Sequence, residues 1–339
     1  MRDYDVCGLG NAIVDIFLEL DDSEFASLAF ERGTMRLVDA ADQTKLLRQF
    51  SENNRELRLV SGGSVANSII GLSQLGGRGA FIGCVGDDRY GLHYAEEFNS
   101  LKINIGNPII VGETTGTCVA IITPDAERTM RTCLAVSSHL SAKHVDAQRI
   151  AHSTWLFIEG YVFANPETGQ SAIRESIKAA RASGTKIALT CSDAFVPEAF
   201  ADAFHVALAE CDLLFCNAPE SLAVTKKESS EAAFEALKSL VPNCVVTDGP
   251  HGAYVRFEGE ESHVSAFACH PKDLTGAGDM FAGAFLYGIT HGYSPVIAAR
   301  GANFMCMNVI SQVGARLQQN AKTLWQEGLE DQRADDVGG

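Results

Sequence analysis

The sequence DLTGAGDMFAGAF, residues 273–285, contains the residues best suited to chemistry. Gly276, Ala277 and Gly278 leave three peptide NH groups with little side chain around them, and Asp279 follows at the start of an apolar helical segment. A helix N-terminus with bare backbone binds anions, because the helix dipole adds about half a positive charge there. Such a turn suits phosphoryl transfer, with the carboxylate accepting the proton of an attacking hydroxyl. An ordinary capped helix has the same pattern.

Two stretches in the N-terminal part indicate a binding site. GNAIVDI places Asn11 and Asp15 four residues apart, and an acid inside an apolar strand needs solvent, hydrogen bonds or a ligand hydroxyl. SGGSVANS, residues 61–68, provides the pair Gly62-Gly63 at a helix start, with Ser64 and Asn67 on its first turn. We expect a ligand to lie against this bare backbone, although a capped turn and a simple helix start fit the same residues.

Further candidates follow two later strands. Asn217 and Glu220 come after the strand DLLF, where a carboxylate could hold Mg²⁺ through water; an Asx cap with a first-turn Glu is the alternative. Thr247, Gly249 and Gly252, in TDGPHGAYV, could cradle nucleotide phosphates or form a hairpin turn.

Arg128, in the irregular stretch 105–135, is the most plausible cationic contact to a phosphate, and a solvated surface arginine is the alternative. That stretch is predicted to form consecutive strands joined by turns.

Elsewhere short apolar strands alternate with amphipathic helices, which predicts a mostly parallel sheet covered on both faces. Ligands of such folds bind beyond the carboxyl ends of the strands. The polar residues 325–339 are expected to form a disordered tail.

The overall composition excludes several classes of protein. Lys and Arg number 27 against 43 Asp and Glu, and the net charge of −16 disfavours nucleic acid or an anionic membrane as partner. The 10 cysteines are scattered, and no apolar run resembles a signal peptide or a transmembrane helix, so we expect a cytoplasmic protein with reduced thiols. GLGNAI has Ile13 where a dinucleotide-binding motif needs Gly or Ala, which argues against a Rossmann oxidoreductase. The motif GxxxxGK[ST] is missing, which excludes a P-loop kinase.

Together the motifs resemble those of the ribokinase-like, or PfkB, carbohydrate and nucleoside kinases. SGGSVANSIIGLSQLGGRGAFIGCVGDDRYG is similar to the first signature of that family and DLTGAGDMFAGAF to the second, within a resemblance covering about residues 4–318. It implies one three-layer α/β/α domain, residues 1–324, with a small β-sheet lid from about 15–20, 33–38 and 105–135.

The resemblance also implies a role for each candidate residue in transfer of the γ-phosphate of ATP with Mg²⁺. Position by position it gives Asp279 as general base; Gly276, Ala277 and Gly278 as the anion hole; Asn217 and Glu220 as the element that tunes Mg²⁺; Thr247, Gly249 and Gly252 as nucleotide contacts; Asn303 near the adenine; Asp15, Gly63 and Asn67 on the acceptor's hydroxyls; and Asp273 at the K⁺ site of some members. K⁺ activation is a hypothesis on this basis.

The acceptor is less well defined. GLGNAIVDI, SGGSVANS and ERTMRTCLAVS are more similar to the adenosine-kinase-like branch than to ribokinases, so adenosine is the preferred small-molecule acceptor. Inosine, guanosine, ribose and fructose stay open as acceptors, as does a non-catalytic nucleotide- or sugar-binding protein. Phe17, Tyr161 and Phe163 are aromatic residues that could stack on a base or belong to the core. The resemblance allows a monomer or a homodimer.

Overall fold

Strands and helices alternate along the chain, which a computed structural model describes over residues 2–51, 57–106, 108–125 and 127–331. The strands are β1 (Tyr4–Leu9), β2 (Ile13–Glu19), β3 (Met35–Leu37), β4 (Arg58–Gly62), β5 (Gly79–Ile82), β6 (Val85–Gly86), β7 (Asn104–Ile105), β8 (Ile109–Ile110), β9 (Gly116–Ile122), β10 (Arg128–Cys133), β11 (Ser153–Ile158), β12 (Lys186–Thr190), β13 (Leu213–Asn217), β14 (Cys244–Thr247), β15 (Ala253–Phe257) and β16 (Glu260–Val264).

The α-helices lie between and after these strands. They are α1 (Asp22–Ser27), α2 (Ala40–Ser51), α3 (Ser64–Leu75), α4 (Arg89–Ser100), α5 (Ala147–Ala151), α6 (Gly169–Ser183), α7 (Phe195–Ala199), α8 (Ala201–Ala209), α9 (Ala218–Thr225), α10 (Ser230–Leu237), α11 (Ala277–Thr290), α12 (Pro295–Ile310) and α13 (Ala321–Glu330).

The main sheet has the order β16-β15-β14-β13-β12-β11-β1-β5-β7 in the described part of the chain. It is parallel from β14 to β7, and β15 and β16 continue it as an antiparallel edge. Successive residues of a strand point to opposite faces, so Phe157 of β11 joins one apolar core while Leu156 and Ile158 join the other. Helices α3, α11, α12 and α13 cover the first face, and α6, α8 and α10 the second. The predicted three-layer α/β/α fold is therefore confirmed.

A smaller sheet, β3-β10-β9-β2-β4, lies beside the main one. On β2, Val14, Ile16 and Leu18 are buried, while Asp15 and Phe17 on the other face are only half-buried. The segments predicted from sequence differ from these strands in two respects. Strand β4 belongs to this sheet although no prediction placed it there, and within 105–135 the short strands β7 and β8 pair with β5 and β6 instead.

The C-terminal part was predicted wrongly as a disordered tail, because helix α13 continues to Glu330. Trp325 is 1% exposed and packs edge-on against Tyr287 and Tyr293, so burial of this large ring holds the helix on α11 and α12. Residues 332–339 of the predicted tail lie outside the described residues.

All 10 cysteines are free thiols, and the two that are not buried, Cys269 and Cys306, are partly exposed. None of the helices within the described ranges is long and apolar enough to cross a lipid bilayer.

Candidate active site

A cavity of about 170 Å³ lies beyond the carboxyl ends of β12, β13 and β14, where they meet the N-terminus of α11. Predicted residues from four separate stretches line it: Ser64, Asn217, Glu220, Thr247 and the turn Gly276, Ala277, Gly278 and Asp279. Parallel strands end at the same edge of their sheet, and this geometry gathers polar groups that are far apart in the sequence.

Asp279 lies on the first turn of α11 and has two hydrogen-bond donors from α3. Ser64 Oγ donates to its Oδ1 at 2.6 Å, and Asn67 Nδ2 donates to its Oδ2 at 2.9 Å. Burial raises the pKa of this carboxyl to about 6, although both hydrogen bonds and the charge of Arg316 act to lower it. A carboxylate held on both oxygens, with a pKa near neutrality, can accept a proton from a bound hydroxyl.

The glycine turn before Asp279 is shaped by its neighbours. Gly276 is the N-cap of α11 with φ of 78°, and a side chain there would bring its Cβ to 2.5 Å from the Cβ of Ala315. No atom of the described residues lies within 4 Å of the position that a Cβ would take at Gly278, so this part of the turn is open. The NH of Ala277 donates to the carbonyl of Leu274 at 3.3 Å, so one of the three donors proposed for the anion hole already has a protein partner.

Asp15 on β2 faces the Gly62-Gly63 pair at the end of β4. A Cβ at Gly62 would lie 2.6 Å from Asp15 Oδ2, and a Cβ at Gly63, whose φ is 108°, would overlap the carbonyl oxygen of Asn11. Burial raises the pKa of Asp15 to about 7, and the charges of Arg316 and Arg128 lower it. Gly62 is thus required for the Asp15 carboxylate to approach the backbone, and Gly63 is required for the close approach of the Asn11 carbonyl.

Asn11 is buried, and its side chain is bonded within the protein. Its Nδ2 donates to Glu159 Oε1 at 2.6 Å, and Ser137 Oγ donates to its Oδ1 at 3.0 Å. Glu159 also accepts from the backbone NH of Val65 at 3.1 Å, and its burial raises its pKa to about 7. Asn11 therefore links the end of β1 to Glu159 after β11 and to Ser137 after β10, and Glu159 in turn binds the start of α3.

Asn217 and Glu220 form a capping box at the start of α9, the alternative foreseen from the sequence. Asn217 Oδ1 accepts from the backbone NH of Glu220 at 2.9 Å, and Glu220 Oε2 accepts from the NH of Asn217 at 3.0 Å. Capping does not remove Glu220 from the cavity, because its carboxylate also lines it. Burial raises the pKa of Glu220 to about 7, and a nearby cation would favour its charged form.

The remaining nucleotide-side candidates differ in position. Thr247 lines the cavity, whereas Gly249 begins a short 3-10 turn, and a Cβ at Gly252 would overlap the carbonyl oxygen of Val264. Asn303 of α12 is buried, and its Nδ2 donates to the carbonyls of Val264 and Ser265 at 3.1 and 3.0 Å. Asn303 thus ties α12 to the end of β16.

Arg128 reaches from the small sheet to the loop before the glycine turn. Its Nη1 lies 2.7 Å from Asp273 Oδ2 and donates to Thr275 Oγ1 at 3.1 Å. Its Nη2 is buried and has no hydrogen-bond partner in the described part of the chain. Asp273 also accepts from the NH of Gly314 at 2.6 Å, so a cation at its carboxylate would have to displace or join the guanidinium of Arg128.

Arg316 is a site residue that the sequence reasoning missed. It follows α12 in an irregular loop; its side chain is 14% exposed, and its Nη1 donates to Asn67 Oδ1 at 2.9 Å. The sequence contains only a weak indication that Arg316 is buried near the site. It is a single arginine between two apolar residues, in ARL, after the end of a predicted helix.

A helix N-terminus with a carboxylate on its first turn, at the strand ends of a doubly covered parallel sheet, is an arrangement used by a class of phosphoryl-transfer enzymes. Residues 34–322 match the pfkB family carbohydrate kinase, and the chain belongs to this family. It is therefore a phosphotransferase with an alcohol group as acceptor. Among curated relatives, adenosine kinase of Saccharomyces cerevisiae is 25% identical over 305 residues, covering 84% of this chain and 88% of the relative. Fructokinase of Vibrio alginolyticus is 26% identical over 246 residues, covering 69% of this chain and 78% of the relative.

Solved structures give the same result for the family. Adenosine kinase from Sinorhizobium meliloti has a TM-score of 0.84 at 31% identity, covering 96% of this chain and 99% of that one. A probable sugar kinase from Rhizobium etli CFN 42 has a TM-score of 0.85 at 28% identity, covering 97% and 100%. The similarity thus extends over nearly the whole chain, both to an adenosine kinase and to a probable sugar kinase.

Proposed function

We propose that this protein transfers the γ-phosphate of ATP to the primary hydroxyl of a nucleoside, with adenosine as the preferred acceptor. The observation that carries the proposal is the double hydrogen bond from Ser64 and Asn67 to Asp279, at the mouth of the glycine turn. A base held in this way needs an acceptor hydroxyl on one side and a phosphate on the other.

Asp15 and the Gly62-Gly63 pair supply the acceptor side of this proposal. The half-buried carboxylate of Asp15 lies against the backbone of Gly62, where two hydroxyls of a sugar ring would donate hydrogen bonds to its oxygens. Asn67 still has an NH and an oxygen lone pair for a ligand after bonding to Asp279 and Arg316. Asp279 then accepts the proton of the reacting hydroxyl as the phosphoryl group arrives.

The donor side is formed by the glycine turn and by Arg128. The open space at Gly278 allows a phosphate to approach the helix N-terminus. The Nη2 of Arg128 is buried and has no hydrogen-bond partner among the described residues, and a phosphate oxygen would provide one if the small sheet moves to admit it. Closure of the small sheet over the site would exclude water and limit hydrolysis of ATP.

Glu220 fits a role in holding Mg²⁺. It is a buried oxygen donor in the same cavity as Asp279, and each of its carboxylate oxygens accepts one hydrogen bond from Asn217, which leaves lone pairs for a water bound to the ion. No group of three or more His, Cys, Asp or Glu residues able to hold a metal exists within the described ranges, so an ion at Glu220 would take most of its ligands from water and phosphate. When bound, Mg²⁺ would neutralise charge on the transferred phosphate.

Phe17 favours a nucleoside over a sugar. It is the residue two positions after Asp15 on the same face of β2, and it is half-buried, whereas Phe163 is 1% exposed and belongs to the core. The guanidinium carbons of Arg58 and Arg128 lie 4.9 and 5.7 Å from the centre of its ring, so a base that stacks on Phe17 would have to replace one of them. An aromatic ring beside the carboxylate proposed to bind the sugar offers a surface on which the base of a nucleoside would stack. A free sugar has no base and would gain nothing from this ring.

The test is an ADP-formation assay with adenosine, inosine, guanosine, ribose and fructose as acceptors. We expect the highest kcat/KM with adenosine, and we expect Phe17→Ala to raise the KM for adenosine about tenfold or more while leaving that for ribose unchanged. Phe25→Leu, in the buried part of α1, is the control for a general loss of packing. Equal effects of Phe17→Ala on adenosine and ribose would contradict the stacking role.

A sugar is the second candidate acceptor, and two of the similar proteins favour it. They are the fructokinase of Vibrio alginolyticus and the probable sugar kinase of Rhizobium etli CFN 42. A kcat/KM for ribose or fructose above that for adenosine would establish this alternative.

A further inference from the structure

We propose that Arg316 is a positioning residue that fixes the orientation of the Asn67 amide and thereby of the base Asp279. This inference rests on the proposed role of Asp279 in phosphoryl transfer, and it adds a residue to that machinery which no motif contains.

The first argument is the chemistry of the contacts. Arg316 Nη1 donates to Asn67 Oδ1 at 2.9 Å, and Asn67 Nδ2 donates to Asp279 Oδ2 at 2.9 Å. A guanidinium has only donors and an ionised carboxylate only acceptors, so the Asn67 amide satisfies both neighbours in one orientation alone. Rotating the amide by 180° would place its NH₂ against Arg316 and its oxygen against Asp279, with both contacts repulsive.

Arg316 is itself held in place. Its Nη2 donates to the carbonyl of Ser61, its backbone carbonyl accepts from Gln312 Nε2, and its Nε lies 4.0 Å from Glu97 Oε1. The preceding residue, Ala315, packs against Gly276 of the glycine turn. One loop therefore contacts both the anion site and the residue that orients the base.

The second argument is electrostatic. Arg316 is a buried cation near two carboxyls whose pKa values are raised by burial, and its charge lowers the pKa of Asp279 and of Asp15. The other groups that interact electrostatically with Arg316 or Asp279 are Glu97 and Tyr94 of α4, Glu159 after β11, Tyr161, Glu220 of α9 and Cys306 of α12. All of these groups are neutral or negative, so among the described residues that interact with Asp279 in this way Arg316 is the positive charge that favours its ionised form.

The sign of the expected pH effect follows. A base works only when unprotonated, so the rate falls as the pH drops through the pKa of Asp279, which is about 6. Removing Arg316 removes an effect that lowers this pKa, so the midpoint of the acid limb moves to higher pH.

Three substitutions separate the charge from the hydrogen bond. Arg316→Met removes both, Arg316→Lys keeps the charge without the planar fork, and Arg316→Gln keeps a donor without the charge. Arg174→Met, on the surface of α6, is the matched control. The measurements are kcat and KM between pH 5 and 9, and the titration of the Asp279 carboxyl by ¹³C NMR in the free protein, assigned with Asp279→Asn.

We expect Arg316→Met to lower kcat about tenfold or more, to leave the KM for ATP within twofold, and to raise the Asp279 midpoint by about one unit. Arg316→Lys should have the wild-type Asp279 midpoint. Arg316→Gln should have a higher kcat than Arg316→Met, but its Asp279 midpoint should stay raised. Should Arg316→Met fail to fold, the Lys and Gln variants give the same comparison.

An Asp279 titration that is identical in wild type, Arg316→Gln and Arg316→Met would overturn the proposal, even if kcat fell. A wild-type protein inactive on every acceptor would refute the proposed function instead. The NMR titration needs no turnover, and it would still decide the role of Arg316.

Discussion

Arg128 and Asp273 form an ion pair of 2.7 Å that joins strand β10 of the small sheet to the loop before α11. Both side chains are largely buried, at 13% and 6% exposure, and Asp273 also accepts from the NH groups of Thr275 and Gly314. The pair therefore connects the sheet that would cover the acceptor with the turn that would bind the phosphate.

Arg128→Met is expected to reduce both stability and turnover. It leaves the buried Asp273 carboxylate without its counter-charge, which costs about 3 kcal/mol in the free energy of unfolding, and it removes a donor to the phosphate, worth about 10²-fold in kcat. Urea unfolding and the ADP-formation assay measure the two effects.

Arg32→Met is the matched control, because Arg32 pairs with Asp22 and Asp125, whose side chains are 69% and 51% exposed. Its loss should leave the urea unfolding midpoint close to that of the wild type and kcat unchanged, because exposed ion pairs contribute little to stability. An Arg128→Met enzyme with wild-type kcat would show that the guanidinium makes no contact with the reacting phosphate.

The open space at Gly278 allows a test of the anion site that does not disturb the fold. Gly278→Ala adds a methyl where no atom of residues 2–51, 57–106, 108–125 or 127–331 lies within 4 Å, so Tm should stay the same or rise slightly, since alanine favours a helix. The methyl would occupy the side of the turn that the phosphate approaches, so the KM for ATP should rise about tenfold or more.

Gly276→Ala provides the contrast. The φ of 78° and the approach of Ala315 make any side chain costly there, so Tm should fall clearly. Thermal unfolding and ATP kinetics on both variants test the assignment. A Gly278→Ala enzyme with unchanged ATP kinetics would place the phosphate elsewhere.

Glu220→Gln is expected to raise the Mg²⁺ concentration for half-maximal rate about tenfold, because an amide binds a hydrated cation more weakly than a carboxylate. It also weakens the cap of α9. Ser229→Ala, which removes the N-cap hydrogen bond to Ala232 at the start of α10, therefore controls for the loss of a helix cap.

The readout is the rate as a function of Mg²⁺ concentration at saturating ATP. We expect the Ser229→Ala protein to lose about 1 kcal/mol of stability with no change in this curve. Equal curves for Glu220→Gln and wild type would remove Glu220 from the metal site.

Replacing K⁺ with Na⁺ tests the remaining cation hypothesis. The guanidinium of Arg128 already provides Asp273 with a positive partner, so a rate that depends on K⁺ would mean that K⁺ displaces or joins this guanidinium, and equal rates in K⁺ and Na⁺ would reject K⁺ activation.

The parts of the site that could be predicted from the sequence are local. Gly276 to Asp279 and Asn217 with Glu220 are each within four residues of one another, and a helix start has recognisable chemistry at that spacing. The alternation of strands and helices likewise predicted the main sheet, because the hydrophobic period is a property of each segment.

The parts that could not be predicted depend on contacts between distant residues. Asn67 and Arg316 are 249 residues apart, and Val65 and Glu159 are 94 apart, so no spacing rule connects them. Helix α13 is different, because Leu324, Trp325 and Gly328 do follow the helical period. The prediction failed there because the surrounding polar residues outweighed the one large ring that anchors the helix.

The turnover of Asp279→Asn tests the central claim most directly. The amide keeps the size of the carboxylate but cannot accept the hydroxyl proton, so kcat should fall on the order of 10²-fold or more while ADP and adenosine still bind with near wild-type Kd. Calorimetric titration and single-turnover kinetics measure both quantities on one protein preparation. A large loss of kcat with retained binding is the predicted result, and near-normal turnover would contradict the role of Asp279 as the base.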